Sequence, residues 1–275
     1  MFLSASKVRN IVHIICAFYN NRELIWNFVK RDLVGKYKGS YLGILWSFIN
    51  PLFMLVIYTI VFSVFFKIKV RPDSGTGFYS FFLFSGMVPW IAFSQSLNHA
   101  STILPGNVNL VKKTVFPVEI LPVVSTLSGF VHSLFGLFIL LFGIIVFEEQ
   151  SFHFTFLLLI FVMIPQLLFT VGIAWFLAST GVFIKDVREI VNLGLTAWMF
   201  MTPIFYPINI VPESFMPVMT LNPMYVVVES YRRVLLDGQF PEWWSLFFLT
   251  LLGLCSVFFG FRRFMKSKKQ FAEVI

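Results

Sequence analysis

Six apolar runs, most of them longer than twenty residues, constrain this chain more than any motif in it: 41–66, 78–102, 118–147, 152–184, 190–210 and 246–261. A helix needs about 20 apolar residues to cross a hydrocarbon core, so runs of this length read as transmembrane helices; the dyad alternation of a membrane barrel is absent. Only 12% of residues are charged and mean hydropathy is +0.84, against about 25% charged in an ordinary soluble domain. The fold class that follows is an all-α membrane protein of six spans.

Polar residues and prolines shape the runs. Asn50-Pro51 marks a kink in the first, because proline removes a backbone donor and crowds the preceding turn. The second is apolar to Phe93 and then carries Ser94, Gln95, Ser96, Asn98, His99, Ser101 and Thr102, so that end is expected to meet protein or water rather than lipid tails. After the fifth run, Pro203, Pro207, Pro212, Pro217 and Pro223 interrupt an otherwise apolar stretch. No straight helix survives that spacing, and irregular backbone at membrane depth is tolerated only inside protein or beside a wet cavity. Short re-entrant helices are therefore expected between spans five and six.

Outside the runs the chain divides into a cytoplasmic segment 1–40, a membrane domain 41–261 and a basic tail 262–275. The apolar stretch Ile11–Phe18 is too short to span and has no small-residue cleavage site after it, so it reads as a retained end. From Arg22 to Val34, Leu24, Ile25, Trp26, Phe28, Val29 and Leu33 share one arc of a helical wheel, with Glu23, Asn27, Lys30 and Arg31 opposite; this predicts an amphipathic helix at the membrane interface. With six spans both termini lie on one side, and that side collects 16 of the 21 Lys and Arg residues. The positive-inside rule makes it the cytoplasm. The net charge of +8 is thereby explained by topology, not by nucleic acid.

The chemistry the chain can carry is narrow. Cys16 and Cys255 lie far apart without metal-type spacing, and no catalytic pair, zinc motif or P-loop occurs, so neither a catalytic nor a metal site is expected. Glu148-Glu149 reads as a solvated loop. His132 is the one titratable residue near a span centre and reads as a packing residue; without buried carboxylates, ion-coupled carriage is disfavoured. If transport is driven, a separate chain supplies the energy.

Three stretches resemble one family. The first is Arg31-Asp32 with Lys36-Tyr37-Lys38, Ser40, Leu42-Gly43 and Trp46. The second is Asn109-Leu110-Val111-Lys112-Lys113 followed by Phe116-Pro117 and Ile120-Leu121-Pro122. The third joins Lys185-Asp186-Val187, Thr202-Pro203-Ile204, Tyr206-Pro207 and Asn222-Pro223 with Arg232 or Arg233. In order, on six spans, they are similar to the membrane subunits of ABC-2 type exporters of cell-surface polysaccharide, the O-antigen, capsule and teichoic-acid permeases. One departure is Lys185, where arginine is the commoner residue.

The resemblance implies a homodimer in the bacterial inner membrane with two nucleotide-binding subunits, which would hold the ATP and Mg; this chain itself would need no cofactor. It implies an undecaprenyl-pyrophosphate-linked glycan as cargo, surrounding lipids as further partners, and no enzyme activity in this chain. Contact with the ATPase would fall to Glu23, Lys30, Asn109, Lys112, Lys113, Lys185, Asp186 and Arg188. A pyrophosphate headgroup needs cationic donors, which Arg31, Lys36 and Lys38 with Tyr37 would offer; anionic lipid or the ATPase would satisfy the same residues. Sugar rings stack on aromatic faces without fixed registry, making Trp46, Trp90, Tyr206 and Tyr225 with Pro207 the candidate conduit and gate. Alternatives are a teichoic-acid or polyol-phosphate exporter, a membrane enzyme acting on polyprenyl-phosphate glycans, and a passive channel.

Overall fold

A computed structural model of the chain describes residues 20–68, 70, 76–112, 116–147 and 154–274. Ile11–Phe18, Cys16, Lys69, Arg71, Asp73, Lys113 and Glu148-Glu149 lie outside the described residues. Within them every regular element is helical: α1 Arg22–Gly35, α2 Trp46–Tyr58, α3 Thr76–Ile103, the single turn α4 Val108–Val111, α5 Leu121–Phe147, α6 Leu159–Gly181, α7 Val187–Met201, the short α8 Met216–Thr220, α9 Pro223–Leu235 and α10 Trp243–Val274. Helical stretches over Gly43–Phe65, Gly77–Ile103, Val118–Phe147, Phe154–Gly181 and Trp243–Val274 are long and apolar enough to cross a membrane. The apolar runs 41–66, 78–102, 118–147 and 152–184 thus fold as the hydropathy pattern predicts, to within a few residues.

The fifth run does not form one helix. α7 ends at Met201 and Thr202 is extended, with φ −97° and ψ 133°. Proline forces this, because the ring of Pro203 crowds the residue before it and pushes that residue out of the helical region. α7 is about 22 Å long, short of the roughly 30 Å hydrocarbon core. Asn222 closes the loop that follows. Its side-chain oxygen accepts from Met224 N at 3.0 Å and from Trp198 Nε1 at 2.9 Å, while its Nδ2 donates to Thr202 Oγ1 at 3.0 Å. Asn222-Pro223 is therefore an N-cap followed by proline at the first helical position, a start that helices favour, and the same amide ties the start of α9 to the end of α7.

The bundle is built around α3, whose faces are apolar or small nearly all round, the pattern of a helix enclosed by others. On the α5 side, Ser96 Oγ donates to Ala92 O at 2.6 Å and reaches Thr126 O at 3.2 Å. From α6, Gln166 Nε2 donates to Pro89 O at 2.8 Å, inside the core. α6 and α10 approach most closely of all: a Cβ on Gly260 would fall on the carbonyl of Gly172, and one on Gly172 would fall on Ser256.

Two further features depart from a simple reading of hydropathy. The first span passes from α-helix into wider π winding over Thr59–Phe65, with Pro51 inside α2. The last helix does not stop where its apolar run stops at Phe261 but continues to Val274, because Phe264 and Phe271 are buried against the residues around Ile103, Val118 and Val182. The basic tail is thus one face of a packed helix. At the other end of the chain, α1 lies against α5 through Ile25 and Val29, which meet Ile120 and Val124. Trp26, predicted on the same arc, points outward, with Lys30 Nζ 5.6 Å from its ring centre.

Candidate functional site

A cavity of about 770 Å³ opens between the lead-in to the first span, α2, the second half of α3, α5 and the start of α7. Its walls change character along their length. Pro51, Met54, Tyr58, Met87 and Ile91 make the apolar part, while Lys36, Gln95, Asn98, His99, Arg188 and Asn192 crowd the other. The sequence dictates this gradient, because the run of polar residues that closes the second apolar run covers a little over two turns of α3 and so presents several amides and an imidazole to the same space.

Local contacts fix the polar rim. Lys36 Nζ donates to Gln95 Oε1 at 3.4 Å, joining the end of α1 to α3. The side chain of Lys36 stays accessible, yet the protein around it removes water and pushes its ammonium below the ordinary lysine range, with Asp32 opposing that shift. Asp32 Oδ2 stands 3.5 Å from His99 Nδ1, ion-pair distance when the imidazole is protonated. Tyr37 Oη and His132 Nε2 share a hydrogen bond of 2.9 Å, with the two rings nearly parallel. A second, smaller cavity of about 300 Å³ lies beside the first, bordered by Arg31, Asp32, Lys36, His99 and Asn107; Arg31 Nη2 reaches Asn107 Oδ1 at 3.5 Å.

The residues selected from the sequence fall into separate places. Lys36, Tyr37 and Arg188 meet at the larger cavity and Arg31 borders the smaller one, whereas Lys38 is simply exposed. Trp46 bonds through Nε1 to Ser40 Oγ at 2.9 Å. Trp90 is buried among Phe93 and Trp198 and faces the core. Tyr206 donates to Phe200 O at 3.0 Å, Pro207 borders a different cavity, and Tyr225 is half-buried on α9. Glu23, Lys30, Asn109, Lys112, Lys185, Asp186 and Arg188 are all exposed, on α1, on α4 and just after it, and from the turn before α7 into its first residues. Sequence reasoning did not single out Gln95, His99 and Asn192 as site residues, although the polar end of the second run already set the first two apart. It read His132 as a hydrogen-bonded packing residue, and the ring is indeed buried and bonded to Tyr37, at the wall of the cavity.

Among the described residues no group of acidic, histidine or cysteine side chains is placed to hold a metal ion. The arrangement is one of hydrogen-bond donors and cations on a rim, with an apolar wall behind them, and it suits binding and passage.

Comparison with known proteins decides the family. Residues 23–236 match the ABC-2 type transporter family. This chain belongs to that family. The ABC-2 chain is 31% identical over 270 residues to the O-antigen export system permease protein RfbA of Myxococcus xanthus, covering 96% of this chain and 100% of that protein. It is 28% identical to a protein of the same description from Klebsiella pneumoniae, over 92% of this chain and 95% of the relative. It is 24% identical to the polysialic acid transport protein KpsM of Escherichia coli, over 84% and 86%. The ABC-2 match begins inside α1 and ends just past α9, so α1 and the broken segment after α7 both fall within the matched region.

Proposed function

We propose that this ABC-2 chain is the membrane permease subunit of an ATP-driven exporter that moves a lipid-linked polysaccharide of the O-antigen or capsule type across the bacterial inner membrane. The observation that carries the reading is the cavity with a cationic and amide rim at Lys36, Gln95, Asn98 and Arg188 and an apolar wall at Met54, Tyr58 and Met87. A lipid-linked glycan needs both surfaces: donors for the phosphate-bearing headgroup and a contact for the chain behind it. The names of the relatives supply the class of polymer.

In this reading the chain crosses the membrane six times. α7 and the extended residues after it make the fifth crossing, and α8 and α9 return as re-entrant elements that shape the outer mouth. Both termini lie in the cytoplasm, where the count of Lys and Arg places them. The chain pairs with a second copy of itself and with two P-loop subunits that hold ATP and Mg. The exposed charges of α1, α4 and the Lys185–Arg188 turn receive the partner's motion. An exporter of teichoic acid or another polyol phosphate would use the same rim.

The test is complementation of a strain lacking its export permease, read by surface display of polymer. Replacing Lys36 by Gln should cut display at least ten-fold while the chain still co-purifies with its ATPase. Unchanged display would remove the headgroup role from this rim. Turnover of a polyprenyl-phosphate glycan by the purified chain alone would replace the exporter reading with an enzymatic one.

A further inference from the structure

Away from the rim just described, a cavity of about 280 Å³ lies between the start of α3, the residues after Pro207 and the end of α9. Six of its lining residues define its chemistry: Phe78 and Phe82 on α3, Asn209, Glu229, Arg232 and Asp237. Arg232 is almost wholly buried, 4% exposed, with its guanidinium 3.5 Å from the ring centre of Phe82. Its Nη2 donates to Ile204 O at 2.9 Å, which fixes the fork. Its Nε has no hydrogen-bond partner among the described residues. That Nε is enclosed by protein, at a cost on the order of 1–3 kcal/mol, whereas Arg232 as a residue borders the cavity.

The charges limit what the cavity can hold. Among the described residues that line the cavity, Glu229 and Asp237 stand with the buried guanidinium of Arg232, so an anionic carboxylate or phosphate entering it meets two carboxylates. A metal cation would meet the guanidinium instead. A neutral group with several hydroxyls meets neither objection, because each hydroxyl can accept from Arg232 or Asn209 and donate to a carboxylate. Phe78 and Phe82 add aromatic walls. The volume lies just below the range of ligand sites, about 300–1,000 Å³, which suits one ring and not a chain.

We infer that this cavity is a binding subsite for a single neutral sugar ring, held by Arg232, Asn209, Glu229 and Asp237 and separate from the cationic rim. The inference rests on the polysaccharide reading for its substrate class. The subsite would hold one residue of a passing polymer, or its end, beside the proline-broken segment that follows α7.

The experiment uses the full chain in lipid nanodiscs, without ATPase, and saturation-transfer difference NMR with methyl glucoside, methyl galactoside, methyl mannoside, methyl glucuronide and inorganic phosphate as probes. At least one neutral glycoside should give a saturable signal. Its affinity should fall ten-fold or more in Glu229→Gln and in the more exposed Asn209→Ala, the second variant serving if the first disturbs folding. Glucuronide and phosphate should not compete. Absence of saturable binding by any neutral glycoside overturns the inference, as does binding that survives both variants or tighter binding of glucuronide or phosphate. Complementation by the unaltered chain is scored in parallel. Polymer display without glycoside binding sinks the subsite alone, whereas glycoside binding without display sinks the export reading and leaves the subsite standing.

Discussion

α6 and α10 are packed so closely that glycine is required at their contact, whereas the first membrane segment, Gly43–Phe65, has hardly a fully buried residue. Both are long apolar helices of one chain, and hydropathy ranks them alike. What separates them is the side chains at the contact. Gly172, Gly253, Ser256 and Gly260 let two backbones approach, and Ser256 Oγ donates to Phe169 O at 3.1 Å across the gap. The first segment offers Leu52, Phe53, Val56 and Ile60 outward, and meets the bundle along one side only, through Phe48 on Phe135, Tyr58 and Phe62 on Phe205, and Thr59 Oγ1 donating to Ser80 Oγ at 3.2 Å. The closed pair finds its partner within the chain. The open helix leaves its apolar surface for lipid or another subunit.

The contrast can be broken at either end. Gly260→Val should have the largest effect, because the new side chain meets the backbone of Gly172; a loss of about 3 kcal/mol or more is expected, seen as disappearance of a monodisperse peak in fluorescence-detected size exclusion. A normal peak would mean that the two helices separate without cost. Tyr37→Phe removes the bond to His132 and should lower stability by about 1 kcal/mol in thermal unfolding of the detergent-solubilised chain, with a loosened lead-in visible as faster hydrogen exchange over residues 36–46. Lys268→Ala breaks a contact of 2.7 Å to Glu119 that joins the end of α10 to the start of the third span. Solvent reaches both partners, so the loss should be about 0.5 kcal/mol, and a much larger one would show that the tail helix depends on this contact more than on Phe264 and Phe271. Phe53→Ala should change stability of the isolated chain least, by about 0.5 kcal/mol or less. If polymer display nonetheless collapses in that variant, the open helix has a protein partner in the membrane.

Much of the plan was legible from residue order. Four of the five helices long enough to cross end within a few residues of their apolar runs, since hydropathy registers length directly. The broken end of the fifth run was legible too, because Pro203 acts on its immediate neighbour. The site was legible only in part. Lys36 and Tyr37 were selected for a headgroup and Arg188 for contact with the ATPase, and all three border one cavity, whereas Trp90 was selected as a conduit aromatic and lies in the core against Phe93 and Trp198. An aromatic ring carries no local sign of whether it faces a neighbour or a void. His132 shows the converse: an imidazole in an apolar run has no partner in sequence, and its partner is Tyr37, 95 residues earlier.

By itself the sequence determined that this chain is helical and membrane-embedded, where its fifth apolar run breaks, and which segments carry the positive charge. These follow from interactions with lipid, water and adjacent residues, which each segment meets independently of the rest. Only the tertiary structure decided that the polar end of α3 faces Lys36 across a cavity, that α6 and α10 touch through glycine, and that Arg232 is buried with a donor left over. Those depend on which faces of distant segments meet, and apolar helices of similar composition can meet in many ways until small residues and buried hydrogen bonds select one.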